Sequence, residues 1–178
     1  MNSINQNQPE DVFENLYGKD AVEKIRALAT KVKTCLFCTD IRTGKPFATR
    51  PMAVQRIDVA GAFYFMSATD SHTNQHIAAH PEVQLLFQGS SYSDFLTLYG
   101  RAGITTDKLI IKDLWDPSMK DWFTEGVDDP RCSVLIFRPT EGYYWDTKHG
   151  AAVAFAKRLV GAAIGKTLDD SIEGKLQP

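Results

Sequence analysis

Arg50 stands in Ala48-Thr49-Arg50-Pro51-Met52-Ala53, a strand-like stretch with apolar neighbours. A guanidinium placed mid-strand among apolar side chains needs an anionic partner, and its planar fork suits phosphate. An ordinary salt bridge to Asp or Glu is the alternative. Further along, Ser67-Ala68-Thr69-Asp70-Ser71-His72-Thr73 joins a hydrophobic strand to a helix start. A helix N-terminus presents unpaired N–H groups and a partial positive charge, so it attracts phosphate. Ser71 and Thr73 add hydroxyls there, and His72 adds an imidazole. Plain N-capping by Asp70 or Ser71 explains the same composition. In an antiparallel meander the Arg50 strand would lie beside the Gly61–Ala68 strand. Arg50 would then reach the Ser71–Thr73 loop, and both features would converge on one anion.

Other constellations carry less. Cys35-Leu36-Phe37-Cys38 is a C-x-x-C, but its flanks are strand-like, which places the two thiols on opposite faces about 10 Å apart. That is too far for a disulfide, and Cys132 supplies no second pair for zinc. His72, His76 and His80 recur every four residues, with His149 as a further ligand, so a metal site competes with a solvated polar face. Gly161-Ala162-Ala163-Ile164-Gly165-Lys166-Thr167 has one residue too few for a phosphate loop and follows a helix instead of a strand. Trp115, Trp122 and Phe123, then Tyr143, Tyr144 and Trp145, offer surfaces on which a flat ring could stack, with core packing as the alternative. No nucleophile–base pair or acid pair stands out, so any catalysis falls to a cofactor.

The elements that must position these groups follow from the hydrophobic period. Val22, Ile25, Leu28, Ala29 and Val32 share one face of a helix over Lys19–Lys33. Strands are expected at Thr34–Asp40, Phe47–Asp58 (bent near Pro51), Gly61–Ala68, Glu82–Phe87, Phe95–Thr105 (bent or bulged near Gly100 and Gly103), Val134–Arg138 and Gly142–Trp145. Short helices are expected at His72–Ala79, where Pro81 forces a stop, at Asp107–Leu114 and at Met119–Phe123. An Ala-rich helix is expected over Gly150–Ile164. The expected organisation is a flexible segment 1–17, one barrel domain 18–147 and a C-terminal helix and tail 148–178. Six or so antiparallel strands with peripheral helices predict a mainly β, α+β chain built as a closed or nearly closed barrel. The absence of βαβ alternation argues against a Rossmann or P-loop sheet.

Composition narrows the function. A length of 178 residues fits one domain that needs no disulfide or metal staple. Lys plus Arg total 20 and Asp plus Glu 22, a net charge of −2, which leaves no basic excess for nucleic acid or a membrane surface. The longest apolar run, Val59–Met66, falls far short of the roughly 20 residues of a membrane span. The N-terminus has neither the basic start nor the apolar stretch of a secretory signal, and three cysteines fit reduced thiols, so a cytoplasmic location is expected.

The ordered set Thr49-Arg50-Pro51-Met52, Phe63-Tyr64-Phe65-Met66-Ser67, Ser71-His72-Thr73 and His80-Pro81-Glu82-Val83 resembles the pyridoxamine 5′-phosphate oxidase-like flavoproteins. Tyr99-Gly100-Arg101-Ala102, Leu114-Trp115-Asp116-Pro117, Trp122-Phe123 with Asp128-Asp129-Pro130, and Tyr144-Trp145-Asp146 resemble the bacterial general stress protein subgroup. The resemblance spans about Lys19 to Asp146. It implies an FMN-binding split β-barrel, a homodimer with FMN (or alternatively FAD) at its interface, and a flavin-dependent oxidoreductase linked to stress. A non-catalytic flavin sensor or a His-ligated metal protein are the alternatives. By motif, Arg50 would contact the FMN phosphate and Ser71, His72 and Thr73 would hold it. The Thr49–Met52 backbone would line the isoalloxazine, Met66 and Ser67 would flank it, and Trp115 and Trp122 would meet the ring or the dimer contact. The family loop commonly has Ser-Arg-Lys where this chain has Ser71-His72-Thr73. Losing two cations predicts phosphate binding that is weak or pH-dependent through His72. The chain also lacks the C-terminal segment by which the oxidases recognise pyridoxal phosphate, and the substrate is left open.

Overall fold

The computed structural model describes residues 12–42, 45–90, 93–149 and 170–178. The helix expected over Gly150–Ile164, the Gly161–Thr167 run and most of the N-terminal segment lie outside the described residues. A helix, α1 (Gly18–Val32), buries Ala21, Ile25, Leu28 and Ala29 on one face. It ends where Lys33 turns left-handed at φ 64° and donates its N–H to the Ala29 carbonyl at 2.8 Å.

The described residues form nine strands: β1 (Leu16–Tyr17), β2 (Thr34–Thr39), β3 (Ala48–Ala53), β4 (Arg56–Ile57), β5 (Phe63–Ala68), β6 (Glu82–Gln88), β7 (Phe95–Thr105), β8 (Cys132–Thr147) and β9 (Ser171–Gln177). Two more helices, α2 (His72–Ala79) and α3 (Lys108–Leu114), decorate them. Pairing runs antiparallel through β3, β2, β6, β7 and β8. The long β8 then forks. Its first half pairs β5, which carries β4, and its second half pairs β9, beside which β1 lies parallel.

The sheet does not close, which gives a split β-barrel. Near the gap, Phe37 of β2 meets Phe65 of β5 edge-on at 5.1 Å, and the Gln55 N–H donates to the Tyr64 carbonyl at 2.9 Å. Inside, Phe37, Phe63, Phe65 and Phe137 are fully buried, each contributing about 1.5–3 kcal/mol of apolar burial. A second, smaller core lies outside the barrel wall. There Ile111, Leu114, Met119 and Phe123, from α3 and the turns after it, cover the outer side of Met66 and Val134. Residues 106–131 thus form a cap on β5 and β8.

Four expectations are corrected. The Phe47–Asp58 strand is two strands, because after Ala53 the Val54 N–H turns to the Lys33 carbonyl. The strands expected at Val134–Arg138 and Gly142–Trp145 are one continuous β8. No meander joins β3 to β5, since β5 pairs β4 and β8. The sequence reading had no β1 or β9. Among the described residues no helix is long and apolar enough to cross a membrane.

Candidate functional site

The split between β3 and β5 opens a cavity of about 430 Å³. Pro51, Met52 and Ala53 form its β3 side, Met66, Ser67 and Ala68 its β5 side, and Met119, Trp122 and Phe123 of the cap the third side, with Gln55 also lining it. Thus Pro51, Met52, Met66, Ser67 and Trp122, read from the sequence as site residues, meet in one place. Trp115 does not join them. It is half-buried against Phe123, with ring centroids 6.3 Å apart, and belongs to the cap's core.

Along β3, burial alternates, with Ala48, Arg50 and Met52 half-buried and Thr49, Pro51 and Ala53 exposed. Arg50 is in register with Phe37, which is fully buried, so both lie on the face turned to the core. Among the described residues Arg50 has no carboxylate within salt-bridge distance, so the ordinary ion pair is not its partner. Thr49 sits opposite Cys38 and donates its hydroxyl proton to the Cys38 Sγ at 3.6 Å.

At the α2 start, Ser71 is the N-cap. Its Oγ accepts from the Asn74 N–H at 3.2 Å and donates to the Asn74 Oδ1 at 3.0 Å. The Ser67 Oγ donates to the same Oδ1 at 2.7 Å. The Asn74 amide then reaches the Ser133 Oγ at 2.9 Å, which donates to the Ser67 carbonyl at 2.8 Å. Both Ser67 and Ser71 therefore spend their protons holding the turn between β5 and α2. What this turn leaves to a ligand is different. The N–H groups of His72 and Thr73 have no partner among the described residues, and the Thr73 Oγ1 is buried without one. The His72 side chain is exposed beside them.

The other histidines are committed elsewhere. The His76 Nδ1 lies 2.9 Å from the Thr39 Oγ1, and His80 faces Asp40 at 3.6 Å. His149 pairs with Asp170 at 2.6 Å, on the other side of the 150–169 segment. Among the described residues no three His, Cys, Asp or Glu side chains are placed to hold a metal ion, so the metal alternative loses its ligand set. The cysteines offer no nucleophile at neutral pH. All three are free and buried. Burial, then the neighbouring Cys38, pushes the Cys35 thiol up to about 12, and burial raises Cys38 and Cys132 as well.

The cap wall is braced by charge. Arg131 grips the buried Asp129 carboxylate with Nε at 3.1 Å and Nη2 at 2.8 Å, and Nη2 also reaches the Trp122 carbonyl at 3.2 Å. The Arg131 side chain, followed by a backbone N–H, holds the Asp129 carboxyl down to about 2. The sequence named Phe123 with Trp122 as a stacking surface, but missed Ala53, Gln55, Ala68 and Met119 as lining and Asn74 as the hub of the turn. Asn74 had one signal, its place three residues after a capping serine.

These features fit a phosphate-bearing planar group. Among the described residues the cavity lining has no charged side chain, while a half-buried guanidinium on β3 and two helix N–H groups at the start of α2 have no partner. The family model described as "Pyridoxamine 5′-phosphate oxidase like" matches residues 20–169. A sequence relative, Protein bli-3 of Neurospora crassa, is 24% identical over 133 residues, 69% of this chain; the match spans 63% of that protein's length. A candidate general stress protein 26 from Jannaschia sp. CCS1 shares the fold with a TM-score of 0.74 at 21% identity, over 89% of this chain and 99% of that one. A general stress FMN/FAD binding protein from Xanthomonas citri superposes with a TM-score of 0.58 at 21% identity, over 70% and 87%.

Proposed function

The chain belongs to the pyridoxamine 5′-phosphate oxidase-like family, and from that premise we propose that it is an FMN-binding flavoprotein acting as an oxidoreductase. The observation that carries this reading is Arg50, half-buried on the core-facing side of β3 with no carboxylate partner among the described residues, beside an uncharged cavity. In this reading Arg50 takes the phosphate together with the free N–H groups of His72 and Thr73 and the buried Thr73 hydroxyl. The β3 backbone from Thr49 to Met52 lies along the ring, and Met66 closes on it from β5. When bound, the flavin supplies reversible two-electron chemistry at its ring. The chain's part is to hold the phosphate, orient the ring and shield it from water. Among the described residues no acid, base or thiol lines the cavity.

The family resemblance and one surface support a homodimer. Pro51, Leu36, Leu86, Thr97 and Tyr143 stand in register across β3, β2, β6, β7 and β8 on the outer face. Leu36 and Trp145 remain 45% and 41% exposed there, around an open apolar cavity of about 790 Å³. A second copy would cover this face. Pro51 lines both this surface and the inner cavity, so the dimer contact would adjoin the flavin. Three free thiols fit a reducing, cytoplasmic setting. The general stress protein among the fold neighbours supports a role in stress.

Titration with FMN, followed by flavin fluorescence and absorbance, tests the reading. Saturation at one FMN per chain is expected, with FAD weaker. No saturable binding would overturn it. Turnover with a reduced nicotinamide donor separates an oxidoreductase from a flavin store.

A further inference from the structure

The cavity between β3, β5 and the cap has two unlike sides. The strands offer backbone and small or flexible side chains, and the cap offers Met119, Trp122 and Phe123. We infer that the cap side binds a second ligand, an uncharged, planar, conjugated ring compound stacked on Trp122. This rests on the flavin reading only in making that ligand the flavin's reaction partner.

Three observations carry it. First, among the described residues no Lys, Arg, His, Asp or Glu side chain lines the cavity. On the cap side a phosphate or carboxylate would lose its hydration and meet no cation among the described lining residues, Arg50 standing on β3 and assigned to the flavin phosphate, and an ammonium would meet no anion. The Ser67 hydroxyl is already given to Asn74, and Gln55 keeps one amide N–H free after donating the other to the Ala53 carbonyl at 3.3 Å. Such a neutral donor suits a ring oxygen, not an ion.

Second, Trp122 is 68% exposed although its backbone is fixed on both sides. Its N–H donates to the Met119 carbonyl at 3.0 Å, and its carbonyl accepts from the Arg131 Nη2 at 3.2 Å. A large indole carried on a braced turn is a stacking surface whose backbone needs no ordering when a ligand binds. Third, its two neighbours in the lining, Met119 and Phe123, are 6% and 5% exposed and anchored in the cap's core, so that side is firm. The methionines Met52 and Met66 give the remaining walls polarizable side chains that adapt to flat rings of differing outline.

The probes are 1,4-naphthoquinone and 1,4-naphthoquinone-2-sulfonate, which share the ring and differ by one negative charge. Calorimetric titration is run on the full chain with and without FMN. The neutral quinone is expected to bind at least tenfold more tightly than the sulfonate. Trp122→Ala should lower its affinity at least tenfold, and Trp122→Phe should recover most of that loss. Equal affinity for the two probes, no binding of the neutral one, or an unchanged Trp122→Ala would each overturn the inference. Because the titration is also run without FMN, failure of the flavin reading shows separately, as absent FMN saturation.

Discussion

Arg50 is the residue on which the flavin assignment turns. A guanidinium half-buried beside Met52, with no carboxylate in reach among the described residues, is costly to leave without an anion. Replacing it with Ala should therefore weaken FMN binding by about 1.5–3 kcal/mol, the worth of a charged hydrogen bond. Flavin-fluorescence titration measures this, with the far-UV spectrum as the check on folding. Unchanged FMN affinity would leave Arg50 without a role in the site. The residue was legible in the sequence because charge among apolar strand neighbours is conspicuous. The duties of Ser67 and Ser71 were not. Both are hydroxyls in a phosphate-like loop, yet Asn74, arriving from one helical turn further on, takes both protons. Composition cannot say which of two acceptors a hydroxyl will find.

Two elements are held by local constraints that mutation can test. One is the cap, whose brace is the Asp129–Arg131 pair. Because the Asp129 carboxyl is lowered in the folded chain from 3.8 to about 2, the pair's contribution is complete above 3.8 and is lost as pH falls through about 2. Tryptophan emission should shift in that acid window as Trp122 loses its carbonyl bond, and Asp129→Asn should show the shifted emission already at neutral pH. A flat emission profile for the native chain through this range would contradict the brace. The other element is the bulge between β7 and β8 at Tyr99/Gly100. A Cβ on Gly100 would come within 2.1 Å of the Arg138 carbonyl oxygen and 2.8 Å of the Pro139 Cα, both backbone atoms that cannot swing aside. Gly100→Ala should cost about 1–3 kcal/mol in urea denaturation. Stability equal to the native chain would mean the strands shift without cost. The sequence flagged this bulge from Gly100 and Gly103. It did not show that β8 runs unbroken past it, because Pro139 and Glu141 read as an interruption.

At the scale of the molecule, the outer face of the sheet makes the next prediction. Leu36 and Leu86 are in register on neighbouring strands and face outward into the larger apolar cavity. If a second copy covers them, the native chain sediments as a dimer. Leu36→Glu with Leu86→Glu should then give a monomer with weaker FMN binding, because Pro51 joins that face to the flavin cavity. A monomeric native chain in analytical ultracentrifugation would remove the homodimer from the proposal. The C-terminal strand β9 was invisible beforehand for a related reason. Its short alternation is held by β8 on one side and by the chain near Glu14 on the other, and Gly174 is required where the Glu14 carbonyl would lie 1.8 Å from a Cβ. Neither neighbour is near it in sequence.

The sequence by itself determined what depends on neighbours along the chain. The helices α1 and α2, the strands β2, β6 and β7, the Ser71 cap and the family likeness all follow from local period, turn residues and motif order. The tertiary structure decided what depends on which strands refuse to pair. The barrel stays open between β3 and β5, and that single missing ladder brings Pro51 and Met52 to face Met66 and Ser67 under a cap from much later in the chain. Hydrophobic periodicity fixes which face of a strand is buried, but the partner across the gap is set by the curl of the whole sheet.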